Sequence, residues 1–397
     1  MPIKFEVFWK NPGYAARPEL KKDIECDYLI VGGGITGVSA AYFLAKAGKK
    51  NIVLIEKHYI GSGATGKAAG TLVIRGENDL EDILKKYGRE GTEKYWKEVH
   101  ESLKSIKRII RSEQIDCDDE PQDTLYCSSR DQSYDDLDLR KEYQVEKSIE
   151  GSTQFLEEEE LRKEINTDLF LHGILSTNHG LSVNPLKMAQ NLSAVVQRCG
   201  VTIYENTTFL KTSGNRAETH HGSISYKKIL FAMDADYPSE EVHNQKSTIV
   251  ITRPLIHDEL VKTGLIKKKI IFNNKTDYHY LKLTKERRLL FGFGTTIVNK
   301  QQRETDPHAL HMEEIKGFIK NLFPYLDLDL EYAWSGHFGV TRGYHPVVEY
   351  TKNTASIAGA GSQVVCFMAA HHIANKFLGK ESPLDEFFTG KQEASTS

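Results

Sequence analysis

Gly32, Gly34 and Gly37 follow the apolar run Tyr28–Val31, and the acidic Glu56 stands 19 positions beyond Gly37. Glycines in this G-x-G-x-x-G spacing bare the main chain so that a pyrophosphate can lie against it. Gly32 suits a tight turn, Gly34 a close approach of backbone to anion, and Gly37 a helix packed tightly on the preceding strand. Ile35 and Thr36 would open that helix, whose N-terminal N–H groups present roughly half a positive charge. Glu56 sits close to the ~20-residue distance at which an acid accepts hydrogen bonds from a ribose 2′-OH. A 2′-phosphate there would meet like charge. The spacing alone is weak evidence in a chain with 30 glycines; a plain strand-to-helix turn is the alternative, and context has to decide.

The surrounding elements supply that context. "CDYLIVGGG" is a short apolar strand, "TGVSAAYFLAKAGK" has helical spacing with an alanine-rich face, and "NIVLIEK" is a second buried strand. Together they form the βαβ unit that the glycine motif requires. Far downstream, "IAGAGSQVVCFMAAHHIA" makes a second glycine turn into a second helix. Two helix starts this distant in sequence suit a long ligand gripped at both ends. FAD is such a ligand, whereas an NAD enzyme would continue with further βαβ repeats.

The rest of the chain reads as a frame around these turns. Residues 1–25 form an extended arm, with Phe5, Phe8, Trp9 and Tyr14 set among Pro and Asn. Residues 77–111 are helical and charged, with a break near Gly88–Gly91. From Ser247 the pattern turns to strands, in "STIVITRPL", "KIIFNN", "DYHYLKLT" and "RLLFGFG". A net charge of -3 gives no electrostatic footprint for nucleic acid. Five scattered cysteines without a CxxC pair argue against a disulfide framework or a zinc site. No metal is expected; His220–His221 and His371–His372 read as surface and helix residues. The polar, proline-punctuated start shows no leader, and no apolar run spans a bilayer. A soluble, cytoplasmic protein is the expectation, with no assignment of oligomeric state.

Five stretches resemble the FAD-dependent amine and amino-acid oxidoreductases of the D-amino-acid-oxidase superfamily, nearest the γ-glutamylputrescine oxidoreductase-like and glycine-sarcosine oxidase-like branch. They are the arm with "RPEL", "LIEKHYIGSGATGKAAG", the strands "IVITRPL" and "DYHYLKLTKERRLLFGFG", the block "WSGHFGVTRGYHPVV", and "IAGAGSQVVCFMAAHHIANKFLG". The chain departs from the family pattern at Gly343, where an aspartate is expected, and at Glu349, where a glycine is expected. Ser362 and Gln363 replace two further glycines. These departures are expected near the flavin ring. No cysteine lies in the Trp334–Pro346 block, so the resemblance implies non-covalent FAD. No clear match is found to the lysine that activates oxygen in sarcosine oxidases.

The resemblance implies a two-domain α/β flavoprotein with a Rossmann-like FAD-binding domain and a mixed β-sheet substrate domain. Residues 26–76, 166–246 and 345–397 would build the FAD domain, and 77–165 and 247–344 the substrate domain. Gly32, Gly34, Ile35, Thr36 and Gly37 would line the pyrophosphate, and Glu56 and Lys57 the ribose. Gly63, Ala64, Thr65 and Gly66 would lead toward the flavin, and Phe209 would cover adenine. Ala360, Gly361, Ser362, Gln363 and Val364 would offer N–H groups to the edge of the flavin ring. Arg342 and Arg253 are candidates to fork onto a substrate carboxylate. Tyr278 and Tyr280 share one strand face toward a pocket, and His337 would bond the ring or substrate. Structural ion pairs or core packing are the alternatives for each of these side chains. The implied reaction is oxidation of a primary or secondary amine or amino acid to an imine. The rival readings are an NAD-dependent dehydrogenase and a flavin-binding scaffold with a decayed ring pocket.

Overall fold

The structure is a computed structural model and describes residues 2–75, 80–130, 136–149, 151–273, 279–298, 309–341 and 345–388. It opens with β1 (Ile24–Val31), α1 (Ile35–Lys46), β2 (Ile52–Ile55), α2 (Ala64–Lys67) and β3 (Thr71–Val73). Next come α3 (Leu80–Ser112), β4 (Glu120–Ser129), α4 (Asp136–Ile149), β5 (Thr153–Leu156), α5 (Glu158–Glu164) and β6 (Phe170–Ser182). The middle holds α6 (Pro185–Arg198), β7 (Thr202–Tyr204), β8 (Phe209–Ser213), β9 (Arg216–Thr219), β10 (Ser223–Phe231) and β11 (His243–Pro254). It continues through α7 (His257–Thr263), β12 (Lys269–Asn273), β13 (His279–Leu283), β14 (Arg288–Ile297) and α8 (Ala309–Leu322). β15 (Leu330–Val340), β16 (Val347–Tyr350), β17 (Thr354–Ala358) and α9 (Gln363–Phe377) close the described chain.

Two sheets organise these elements. The first runs β16-β17-β10-β1-β2-β7, with β9 on β10 and β8 on β9. Its centre is parallel: β1 pairs with β10 and β2, β2 with β7, and β10 with β17. The inner half of β1 and all of β2 are buried, as expected of parallel strands covered on both faces. α1, rich in alanine, packs on α9 and α6 over this sheet. The second sheet runs β15-β11-β14-β13-β12-β4-β6-β3, with β5 on β6, and is mixed because β12 pairs in parallel with β4.

Two segments fall differently from the expected division. β3 and β6 lie in stretches read as FAD domain, yet both are hydrogen-bonded into the second sheet. The apolar and β-branched character of these strands does not encode which sheet they join; their pairing partners do. The expected break in the long charged helix is present, since Gly88 has φ 66° and ψ -178° within α3.

The N-terminal arm ties the two sheets together. Lys4 bridges to Tyr332 on β15. Trp9 donates its indole N–H to the Ala68 carbonyl at 2.8 Å. Farther along, Glu205, fully buried after β7, accepts from the Tyr14 hydroxyl and from the main-chain N–H groups of Arg17 and Ile60 at 2.6 Å each.

Candidate functional site

A cavity of about 510 Å³ lies where the two sheets meet, lined by the glycine turn, the loop before α9 and one edge of the second sheet. At its nucleotide end Gly32 has φ +114°, a conformation open to glycine and strained for other residues. The Gly33 N–H donates to Glu56 Oε2 at 2.7 Å. Glu56 Oε1 accepts from the His58 N–H at 3.0 Å and the Ser62 hydroxyl at 3.3 Å. An ionised carboxylate offers about four acceptor sites, so Glu56, held rigid by three donors and lining the cavity, retains capacity for a ribose hydroxyl.

Gly34, Ile35 and Thr36 line the same wall, with Gly63, Ala64 and Thr65 facing them from α2. Thr65 Oγ1 accepts the Ile35 N–H at 3.0 Å. Phe209, Thr207 and Thr208 close the outer end, where Lys57 pairs with Asp236 at 2.7 Å. Gly37 and Gly66 do not line this cavity. A β-carbon on either would run into the carbonyl of Gly32 or Gly61, so both act by permitting close packing. Val364 is likewise fully buried in the core rather than turned to the cavity.

The second grip is the start of α9. Gly359 and Gly361 have φ +67° and +62°, and Ala360, Gly361, Ser362 and Gln363 line the cavity. Ser362 is the N-cap residue and makes no side-chain cap bond, which leaves first-turn N–H groups available to an anion. The Gln363 amide reaches across to the Thr65 carbonyl at 3.3 Å, linking the two grips. A bare turn, a ribose-directed acid and a distant uncapped helix start are what FAD requires of its site, and the residues present fit it.

The inner wall comes from the second sheet: Ser247 and Ile249 on β11, Tyr280 on β13, and Gly336 to Phe338 on β15. Tyr280 lies across Gly292, whose missing side chain leaves room for the ring. His337 also lines this wall. Asp234, at φ 49°, turns its residual exposure to the cavity and accepts the Gly339 N–H at 3.1 Å. Burial pushes its carboxyl up to about 6, against the opposing pull of the Gly339, Ala235 and Gly359 backbone N–H groups. Cys366 also lines the cavity, its thiol pushed up to about 12 by burial.

Arg253 is placed elsewhere. It lies outside the cavity lining and forks onto Glu259 at 2.6 and 2.8 Å, so its donors are spent on the start of α7. Tyr278, Arg342 and Gly343 lie outside the described residues. Glu349 does not line the cavity; it accepts from Tyr237 and Ser356 across the end of the first sheet, so that departure does not fall at the ring. Ser362 and Gln363 do fall at the cavity. Sequence reasoning missed Glu205, Asp234 and Lys67. Lys67 lies in the glycine-dense loop already singled out, whereas Glu205 and Asp234 stand in polar stretches without a motif, and only the fold brings these two to the arm or the cavity. Among the described residues no group of three His, Cys, Asp or Glu is placed to hold a metal ion, and no helix is long and apolar enough to cross a membrane.

The chain is 28% identical over 388 residues to γ-glutamylputrescine oxidoreductase of Escherichia coli, covering 94% of this chain and 88% of that one. Its fold is similar to the glycine oxidase of Geobacillus kaustophilus, with a TM-score of 0.78 at 19% identity over 93% of this chain and 99% of that one. It also resembles L-proline dehydrogenase from P. horikoshii, with a TM-score of 0.74 at 19% identity, over 94% and 97% of the two chains. The family profile described as DAO, FAD dependent oxidoreductase, matches residues 27–375. With that match over most of its length, and a cavity fitted to the cofactor, the chain belongs to the DAO family of FAD-dependent oxidoreductases.

Proposed function

We propose that the protein oxidises a primary or secondary amine, or an amino acid, to an imine that water then hydrolyses. One observation carries this reading: the glycine turn, the α9 start and the Tyr280–His337 wall open into one continuous cavity. FAD, when bound, supplies the acceptor for the hydride that leaves the carbon bearing the amine. The chain's own part is to hold and orient. Glu56 and the Gly32–Thr36 backbone would hold the adenosine and pyrophosphate, and the N–H groups of α9 the electron-rich edge of the ring. Tyr280 and His337 would position the amine in its neutral form, which needs no strong general base. Ile249 and Phe338 add apolar side chains to the same cavity lining.

Attachment is non-covalent on this reading. Cys366 is the one cysteine in the described lining, and burial keeps its thiol protonated and a poor nucleophile. The name of the E. coli relative supports an amine substrate. The NAD-dependent alternative is set aside by membership of an FAD-dependent family.

The test is anaerobic mixing of FAD-loaded protein with a panel of amines and amino acids while the flavin absorbance is followed. Bleaching by at least one of them is expected. If a fully loaded protein keeps its oxidised spectrum throughout the panel, the flavin-binding scaffold replaces the enzyme as the better reading.

A further inference from the structure

An acid stands where the cofactor has to lie. Asp234 opens the short 3-10 turn after β10, two residues beyond Ala232, whose carbonyl a side chain on Gly32 would strike. It lines the cavity shared by the glycine turn and the start of α9. Its carboxylate faces three elements at once: it accepts the Gly339 N–H of β15 at 3.1 Å, and the Ala235 and Gly359 N–H groups also bond to it. A β-carbon on Gly339 would lie 3.0 Å from Asp234 Oδ1, so the missing side chain makes room for the acid. Asp234 itself has φ 49°, a left-handed conformation uncommon outside glycine, asparagine and aspartate.

The groups around it do not neutralise it. Its partners are backbone N–H groups, and no cation stands among them. On its own turn Asp236 adds a second negative charge, which is paired with Lys57 at 2.7 Å. On β15 His337 shares the strand face of Gly339, and Lys67 of α2 and Glu56 at the nucleotide end line the same cavity. On α9 burial keeps the Cys366 thiol neutral. Cys366 lies close enough to feel the charge of Asp234, and it bonds to Thr36 of the glycine turn. The acid is therefore one side chain removed from the backbone assigned to the pyrophosphate.

FAD brings the negative charge of its pyrophosphate into this cavity and displaces the water there. Both changes act against an ionised Asp234, because lost water desolvates the carboxylate and like charge repels it. Protonated, the same group is neutral and has an O–H to donate. Burial already holds this carboxyl up at about 6 without the cofactor.

We propose that Asp234 is the proton-linked residue of the cofactor site: FAD enters with uptake of one proton from solvent onto Asp234, and is held less tightly as that proton becomes harder to supply. This goes beyond the amine-oxidation reading and rests on the cavity being the FAD site. The sign is fixed by linkage. Above about 6 the acid is ionised in the empty site and protonated in the filled one. The dissociation constant for FAD should be constant below that pH and rise about tenfold per pH unit above it, until the bound acid ionises too.

FAD titrations of the full chain stripped of cofactor, read by flavin fluorescence at pH 5.5, 6.5, 7.5 and 8.5, test this on wild type, Asp234→Asn and Asp234→Gly. Both replacements tolerate the left-handed backbone, asparagine also keeps an acceptor for the Gly339 N–H, and melting temperatures confirm folding. The wild type should show the slope and both variants should be flat, with Asp234→Asn binding FAD about 10- to 100-fold more tightly than wild type at pH 8.5. Calorimetry at pH 7.5 in two buffers of different ionisation enthalpy should find close to one proton taken up per FAD in the wild type and none in the variants.

A wild-type dissociation constant that does not change with pH overturns the proposal, as does a variant that keeps the wild-type slope, which titration of His337 would give. A folded Asp234→Asn protein that binds FAD more weakly than wild type at pH 8.5 also overturns it, because the negative charge would then serve the cofactor. If the wild type binds no FAD at any pH, the cavity assignment falls and the proposal with it, a result distinct from binding that ignores pH.

Discussion

Tyr280 occupies the space that a side chain on Gly292 would fill, so two residues on neighbouring strands act as one unit at the cavity wall. Gly292→Ala should displace the Tyr280 ring while leaving the glycine turn and Glu56 untouched. Misplacing a positioning group by about 1 Å can cost on the order of 100-fold in rate. A loss of 10- to 100-fold in kcat/KM with normal FAD content is expected by that argument, and unchanged kinetics would mean that Tyr280 does not touch substrate. At this scale the glycine turn and the acid beside it are the part of the cavity wall that the sequence singles out. Gly32, Gly34 and Glu56 announce themselves because anion binding needs bare backbone and an acid at set distances. Substrate residues obey no such spacing, and Arg253 shows the consequence: a guanidinium in a familiar-looking strand turned out to be paired with Glu259.

The elements are joined by buried polar side chains that a periodicity reading assigns to no role. Lys282 on β13 is fully buried and donates to the Gly70 carbonyl at 2.7 Å and the Ser182 hydroxyl at 2.9 Å, joining the turn into β3 and the end of β6 to β13. Burial lowers its pKa from 10.5 to about 7. Between those values the unfolded chain binds a proton that the folded chain does not, so stability rises as pH increases through this window. The slope should approach about 1.4 kcal/mol per pH unit from this group alone. Chemical denaturation of wild type and Lys282→Met at pH 7, 8 and 9 checks the sign: the wild type should gain relative to the variant, and parallel curves would contradict the assignment. The arm offers a second case. Its aromatic and proline punctuation showed that it wraps the body, but not where it is anchored, since Glu205 lies in "YENTT" and looks like an ordinary loop acid. Glu205→Ala leaves the Arg17 and Ile60 N–H groups without their acceptor, at a cost of about 1–3 kcal/mol for each group stranded. A lowered melting temperature and faster tryptic cleavage within residues 4–22 are the expected results.

The whole molecule is two sheets sharing one cavity, each assembled from distant parts of the chain. Its α/β class, the βαβ start and the second helix start near Gly361 could be read from glycine punctuation and apolar runs. The assignment of β3 and β6 could not, because a strand's pattern records its burial and not its neighbours. Both strands put the cavity wall at Thr71 and Val73 under control of the second sheet, although β2 just before β3 and β7 just after β6 belong to the first. The account stands on the cavity between the sheets being the FAD site, and a crystal structure of the protein grown with FAD tests that most directly. It should show the pyrophosphate on the Gly32–Thr36 backbone, the ribose hydroxyls on Glu56, and the ring between the α9 start and Tyr280. A cavity that stays empty at saturating FAD, or a dinucleotide bound elsewhere, would contradict it.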